Sequence, residues 1–206
     1  VQQAGHNVIE PCYKPRMNAS AQLDSPRRLW LRVEDFLLLN ESGALDGYSK
    51  AELIDGEIVT MNAQFRPHAF AQSQLLVRVA TALQALDLGL TAVIEAAIAM
   101  PPHDMPVPDI TVTSAPRGDG PIPLASVALV IEVASTTRDT DLGRKAALYA
   151  RGAIAEYWVV DLQMGEIVRH WQPGTQGYGA RDTTPFGTNI TAATLPALTI
   201  ATNGLV

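Results

Sequence analysis

Two carboxylates lie where the surrounding pattern leaves little water for them. Glu132 follows Val127-Ala-Leu-Val-Ile131 and precedes Val133, inside the most apolar strand pattern of the chain. A charge there is costly unless it is paired, protonated or bound to a metal. Alternation puts Glu132 on the face of Val130 and Ala134, opposite Leu129, Ile131 and Val133. Asp109 follows Pro108 at the start of another strand pattern, with Ile110 and Val112 on the opposite face. Pro-Asp alone is a common turn dipeptide, and its weight comes from pairing with Glu132. The two acids are 23 residues apart across a loop, so adjacent strands can bring their oxygens together. Two hard oxygen donors make a site for a divalent cation such as Mg²⁺.

Lys145 is the third candidate. It falls three residues after Leu142 and four before Tyr149 and so shares their helical stripe. Plainer readings stay open. Glu132 fits a buried ion pair or a strand end reaching solvent, and Lys145 fits a snorkelling stem or a surface pair with Asp141.

Several elements must position these residues. Val33–Asn40 reads as a short helix with acids in its first turn and Phe36, Leu37 and Leu39 available for burial. In Glu52-Leu-Ile-Asp-Gly-Glu-Ile-Val59, Asp55-Gly56 predicts a tight hairpin turn. Phe70, Leu75, Leu76, Val79, Leu83 and Leu86 recur at helical spacing, with Pro67 at the entry and Gly89 at the exit. Strands are expected over Thr91–Met100, Val107–Thr113 and Val127–Val133, the last buried on both faces. Thr137 is expected to cap a helix running to about Arg151, stopped by Gly152. Glu156–Asp161 and Glu166–Trp171 read as a hairpin across Leu162–Gly165. The mixed order implies an α/β domain with a mixed sheet.

Composition bounds the reading. With 206 residues, 47% hydrophobic and 17% charged, the chain has material for one core and is not a disordered sequence. Residues 1–25 read as a polar, flexible N-terminal tail and residues 26–206 as a single domain. The start Val1–His6 has neither a basic stretch nor an apolar one, so no signal peptide is expected. No apolar run approaches the roughly 20 residues of a membrane span, and a cytoplasmic protein is expected. The single cysteine, Cys12, excludes an internal disulfide and a cysteine-based zinc site. The net charge of −6 argues against a protein that coats nucleic acid nonspecifically, although residues 1–32 carry +3 and the remainder −9. Phosphate-binding loops, dinucleotide fingerprints, nucleophile elbows and metalloprotease histidine pairs are absent from the sequence.

Pro108-Asp109, Val130-Ile-Glu132-Val-Ala-Ser135-Thr-Thr, Asp141-x-x-x-Lys145-x-x-x-Tyr149-Ala and Gly152-Ala-Ile-Ala-Glu-Tyr-Trp-Val-Val-Asp161 follow in that order, after Glu52-Leu-Ile-Asp-Gly-Glu57 and His68. Over roughly Leu29 to Leu198 the chain resembles the Uma-type putative restriction endonuclease family of the PD-(D/E)XK nuclease superfamily. The resemblance implies a restriction-endonuclease-like mixed β-sheet flanked by α-helices. It also implies Mg²⁺, with Mn²⁺ as a substitute, and hydrolysis of DNA phosphodiester bonds. Asp109 and Glu132 would hold the metal, joined by a backbone carbonyl near Val133, while Lys145 would orient water or neutralise charge. The superfamily's usual lysine would fall at Ala134, and Lys145 matches variants that draw it from the following helix. Glu52 and His68 match recurrent family positions and are second-line candidates. A homodimer pooling two modest basic patches is expected. The rival reading is a non-catalytic nuclease-fold module for protein-protein or regulatory binding, since a fold does not prove an activity.

Overall fold

Asp55 and Gly56 both take positive φ, 49° and 72°, as a two-residue turn between twisted strands requires. They join β1 (Lys50–Ile54) to β2 (Glu57–Met61) in the hairpin expected from the sequence, with Glu52 opposite Val59. The computed structural model describes residues 28–61 and 63–205. The tail proposed for residues 1–25, with Cys12, lies outside them. Ahead of the hairpin, α1 (Val33–Glu41) buries Val33 and Phe36 against Leu53 and Met105.

The long helix α2 (Arg66–Leu86) has Pro67 in its first turn, where a missing N–H leaves no bond unmade. Its buried line runs through Ala71, Leu75, Val79 and Leu83. Phe70, which the periodicity assigned to the buried stripe, is 56% exposed. One residue before Ala71, it sits about 100° around the helix from that line. The exit also differs, because Asp87 (φ 48°) rather than Gly89 takes the left-handed cap position and donates its N–H to Leu83 O.

Thr91–Met100 is not one strand. Glu95 (φ 49°) turns the chain between β3 (Thr91–Ile94) and β4 (Ile98–Ala99). Then follow β5 (Ile110–Thr113), β6 (Ile122–Pro123) and β7 (Val127–Ala134). The helix expected from Thr137 to Arg151 is also divided. A short α3 (Arg138–Thr140) leads through a wide π turn, Asp141–Lys145, into α4 (Ala146–Arg151). Thr137 does not cap it, since its hydroxyl donates to Asp141 Oδ2 at 2.6 Å. After β8 (Glu156–Asp161), β9 (Glu166–Gly174) runs past Trp171 into β10 (Gly177–Pro185), followed by the small pair β11 (Asn189–Thr191) and β12 (Thr199–Ala201).

Six strands form the main sheet in the order β10-β9-β8-β7-β5-β3. β7 and β8 are parallel, joined over α3 and α4, and every other neighbouring pair is antiparallel. On one face Leu129, Ile131, Val133, Trp158 and Val160 pack against α2 and the C-terminal strands. On the other, Val130, Ala134, Tyr157 and Val159 meet Leu148 and Tyr149 of α4. This is the α/β mixed sheet flanked by helices that the sequence implied.

Candidate active site

Asp109 immediately precedes β5, one step beyond the Ile110–Ile131 pair of the β5–β7 ladder. Opposed residues of a ladder share a face, so that register brings Asp109 and Glu132 to the same side of the sheet. Both line a cleft of about 130 Å³, together with Lys50, Glu52, His68 and Lys145. The five residues singled out in the sequence are therefore neighbours in space.

Asp109 is 3% exposed. Its Oδ2 accepts the Val133 N–H at 2.7 Å and lies 3.1 Å from His68 Nε2, while Gln72 Nε2 donates to its backbone carbonyl at 3.1 Å. Its Oδ1 faces the Lys50 ammonium at 3.7 Å. Against the cost of burial, the His68 hydrogen bond, the Lys50 charge and the Val133 amide hold this carboxyl below its ordinary range.

Glu132 is placed differently. Its Oε1 accepts from both Lys145 Nζ (2.9 Å) and Tyr149 OH (2.8 Å), whereas Oε2 accepts no hydrogen bond among the described residues. Burial pushes the carboxyl up to about 8; the Lys145 charge opposes this, and the Asp109, Asp141 and Glu52 charges add to it. Lys145 also lies 3.2 Å from Glu52, and the Glu132 and Glu52 charges overcome its burial to hold the ammonium above its ordinary pKa. The surface pair of Lys145 with Asp141 is not what forms, because the π turn carries both residues inward, to 5% and 3% exposure.

Lys50, Glu52 and Ile54 alternate along β1 and, with Val59 and Met61 of β2, cover the cleft. Leu53 points the other way, into the α1 cluster. Val107 N–H fixes Glu52 Oε1 at 2.7 Å. Arg144 clamps the hairpin to the helical side through Asp55 Oδ2 (2.9 Å), Ile54 O (2.8 Å) and Glu57 Oε2 (3.0 Å). His68 reaches Asp109 from the first turn of α2 and is 2% exposed.

Sequence reasoning missed Lys50, Tyr149 as a partner of Glu132, and the buried role of Asp141. Lys50 had a usable signal, since it lies two residues before Glu52 and therefore on its face of the strand.

The cleft suits a divalent cation by charge and by donor type. Glu52, Asp109, Glu132 and Asp141 oppose Lys50 and Lys145, which leaves two negative charges when all four acids ionise. Asp109 Oδ1 and Glu132 Oε2 are hard oxygens that accept no hydrogen bond among the described residues. No group of three or more His, Cys, Asp or Glu side chains arranged to hold a metal occurs among the described residues. A two-carboxylate set fits Mg²⁺, which commonly keeps several waters.

No curated protein matches the chain. Its structure resembles the crystal structure of a putative nuclease belonging to DUF820 from Anabaena variabilis ATCC 29413, with a TM-score of 0.64 and 16% identity. The match covers 85% of this chain and 97% of that one, and at that identity it establishes a common fold. Residues 33–203 match the Uma2 family model, described as putative restriction endonuclease. The chain belongs to that family.

Proposed function

We propose that the cleft hydrolyses DNA phosphodiester bonds with Mg²⁺, or Mn²⁺ in its place, held by Asp109 and Glu132. The observation that carries this reading is the pair of buried carboxylates that each keep one oxygen out of the protein's hydrogen bonds, inside a cleft where four acids face two lysines. When bound, the cation supplies positive charge to phosphate oxygens and acidifies a water. The protein's own groups prepare the rest. The Val133 amide and His68 orient Asp109, while Tyr149 and Lys145 orient Glu132. Lys145 stays protonated between two acids, so it serves charge stabilisation or water orientation rather than proton abstraction.

Calorimetric titration with Mg²⁺ and Mn²⁺, followed by incubation with supercoiled plasmid, tests the reading. Cation binding and cleavage abolished by a chelator are expected. Intact plasmid despite bound cation would favour the non-catalytic module. No helix among the described residues is long and apolar enough to cross a membrane. A cytoplasmic homodimer completes the proposal, and light scattering on the eluting protein checks the dimer.

A further inference from the structure

We propose that Lys50 is a resident counter-ion, which the divalent cation displaces from Asp109 and which then binds a phosphate oxygen of the DNA backbone. This inference rests on the functional reading above and concerns a residue that reading does not use.

The two lysines of the cleft are held in different ways. Lys145 is locked between Glu132 at 2.9 Å and Glu52 at 3.2 Å, and turning away would strand two buried carboxylates. Lys50 has a looser tie, a single carboxylate oxygen at 3.7 Å, beyond hydrogen-bond distance, with no other partner among the described residues. That oxygen, Asp109 Oδ1, is the one Asp109 offers to a cation, because Oδ2 is taken by the Val133 amide and His68. A divalent ion and an ammonium repel each other and compete for this oxygen. Lys50 thus neutralises Asp109 in the metal-free protein and must leave when the cation arrives.

The structure provides a place for it to go. Lys50 lines the inner cleft and also an adjoining surface groove of about 380 Å³, bordered by Gln64, Glu95 and Val107. Its side chain is 12% exposed, at the boundary of the two spaces. A flexible four-carbon stem can carry the ammonium from one to the other. There it meets a backbone phosphate as a point charge, which suits sequence-independent contact.

The exchange makes two quantities move in opposite directions. Without DNA, Lys50→Met removes the competing cation, so calorimetry should show Mg²⁺ or Mn²⁺ binding about three- to tenfold tighter than in wild type. With plasmid substrate, the same variant should show KM raised about tenfold or more, because its phosphate contact is lost. A second measurement uses the wild-type protein alone. Acetic anhydride labelling of Lys50, read by mass spectrometry, should rise on saturation with Mg²⁺ and fall again when a short DNA duplex is added in Ca²⁺ to block turnover. Equal or weaker metal affinity in a folded Lys50→Met protein, or unchanged wild-type labelling on metal saturation, overturns the exchange. An unchanged KM overturns the phosphate contact. Wild-type protein that binds no divalent cation overturns the functional reading and this inference together.

Discussion

Glu132 and Glu156 are both buried glutamates, 3% and 0% exposed, on the neighbouring parallel strands β7 and β8. They face opposite sides of the sheet. Glu156 Oε1 accepts from Trp158 Nε1 (2.6 Å) and the Ala193 amide (2.9 Å). Its Oε2 accepts from the Thr194 amide (2.7 Å) and hydroxyl (2.9 Å). Four neutral donors use both oxygens and tie the loop at Ala193–Thr194 to the sheet. Glu132 has its donors on one oxygen only, and one of them is a cation. Burial is common to both acids, so it does not distinguish them. What differs is the unspent oxygen of Glu132, which the proposed function assigns to a cation.

The largest expected effect breaks the charged side of the comparison. Lys145→Ala leaves Glu52 and Glu132 buried without their common partner, and breaking such a pair costs about 3–5 kcal/mol. Urea unfolding should show that loss as a lower midpoint at unchanged slope. A stability within about 0.5 kcal/mol of wild type would mean that the ammonium is not holding the two acids.

Next come the two glutamates themselves. Glu132→Gln keeps shape and the Tyr149 contact while removing the charge a cation needs. Plasmid cleavage should fall by about 10²–10³-fold and calorimetric metal binding should weaken sharply, with the fold retained. Glu156→Gln should do the reverse. Its new NH₂ would face donors where an acceptor is required, destabilising the protein by about 1–3 kcal/mol without changing metal affinity. Metal binding that falls equally in both variants would dissolve the distinction between the two acids.

In sequence both glutamates adjoin apolar strand patterns, Glu132 within the aliphatic run Val127–Ala134 and Glu156 ahead of Tyr157-Trp-Val-Val160, and only Glu132 was singled out. What was legible is what short-range chemistry dictates: the Asp55-Gly56 turn, the Pro67 entry of α2 and the apolar strand around Glu132. What was not legible depends on distant partners. The four donors of Glu156 include Ala193 and Thr194, and no local pattern announces them. Strand β10 alternates between exposed and half-buried residues at the sheet edge, so it carries little apolar signal. The inward position of Asp141 depends on a π turn that ordinary helical spacing does not anticipate. The candidate residues were recognised by type and family order, but their convergence required the β5–β7 register and the folding of the hairpin over the cleft.

The smallest expected effect is a pH slope, and it belongs to Glu132. Its carboxyl lies at about 8 against an ordinary 4.5, so between those values the native metal-free protein holds a proton that the unfolded chain has released. The stability from this group is complete below pH 4.5 and declines as pH rises through 8. His170, lowered by burial and the Arg181 charge to about 4 from 6.5, works in the opposite sense: stability is lost as pH falls from 6.5 toward 4. The two slopes overlap below 6.5, which leaves pH 6.5–8 as the window where Glu132 acts without His170. There the stability of metal-free wild type relative to Glu132→Gln should fall with pH, by less than about 1.4 kcal/mol per unit, the limit for one proton. Saturating Mg²⁺ should flatten that slope, because a cation held by Glu132 keeps the carboxyl ionised, and apparent metal affinity should rise up to about pH 8 and then level off. Parallel stability curves for the two proteins across the window would show that Glu132 is already ionised within its pair with Lys145, and would make its spare oxygen available to a cation without competition from a proton.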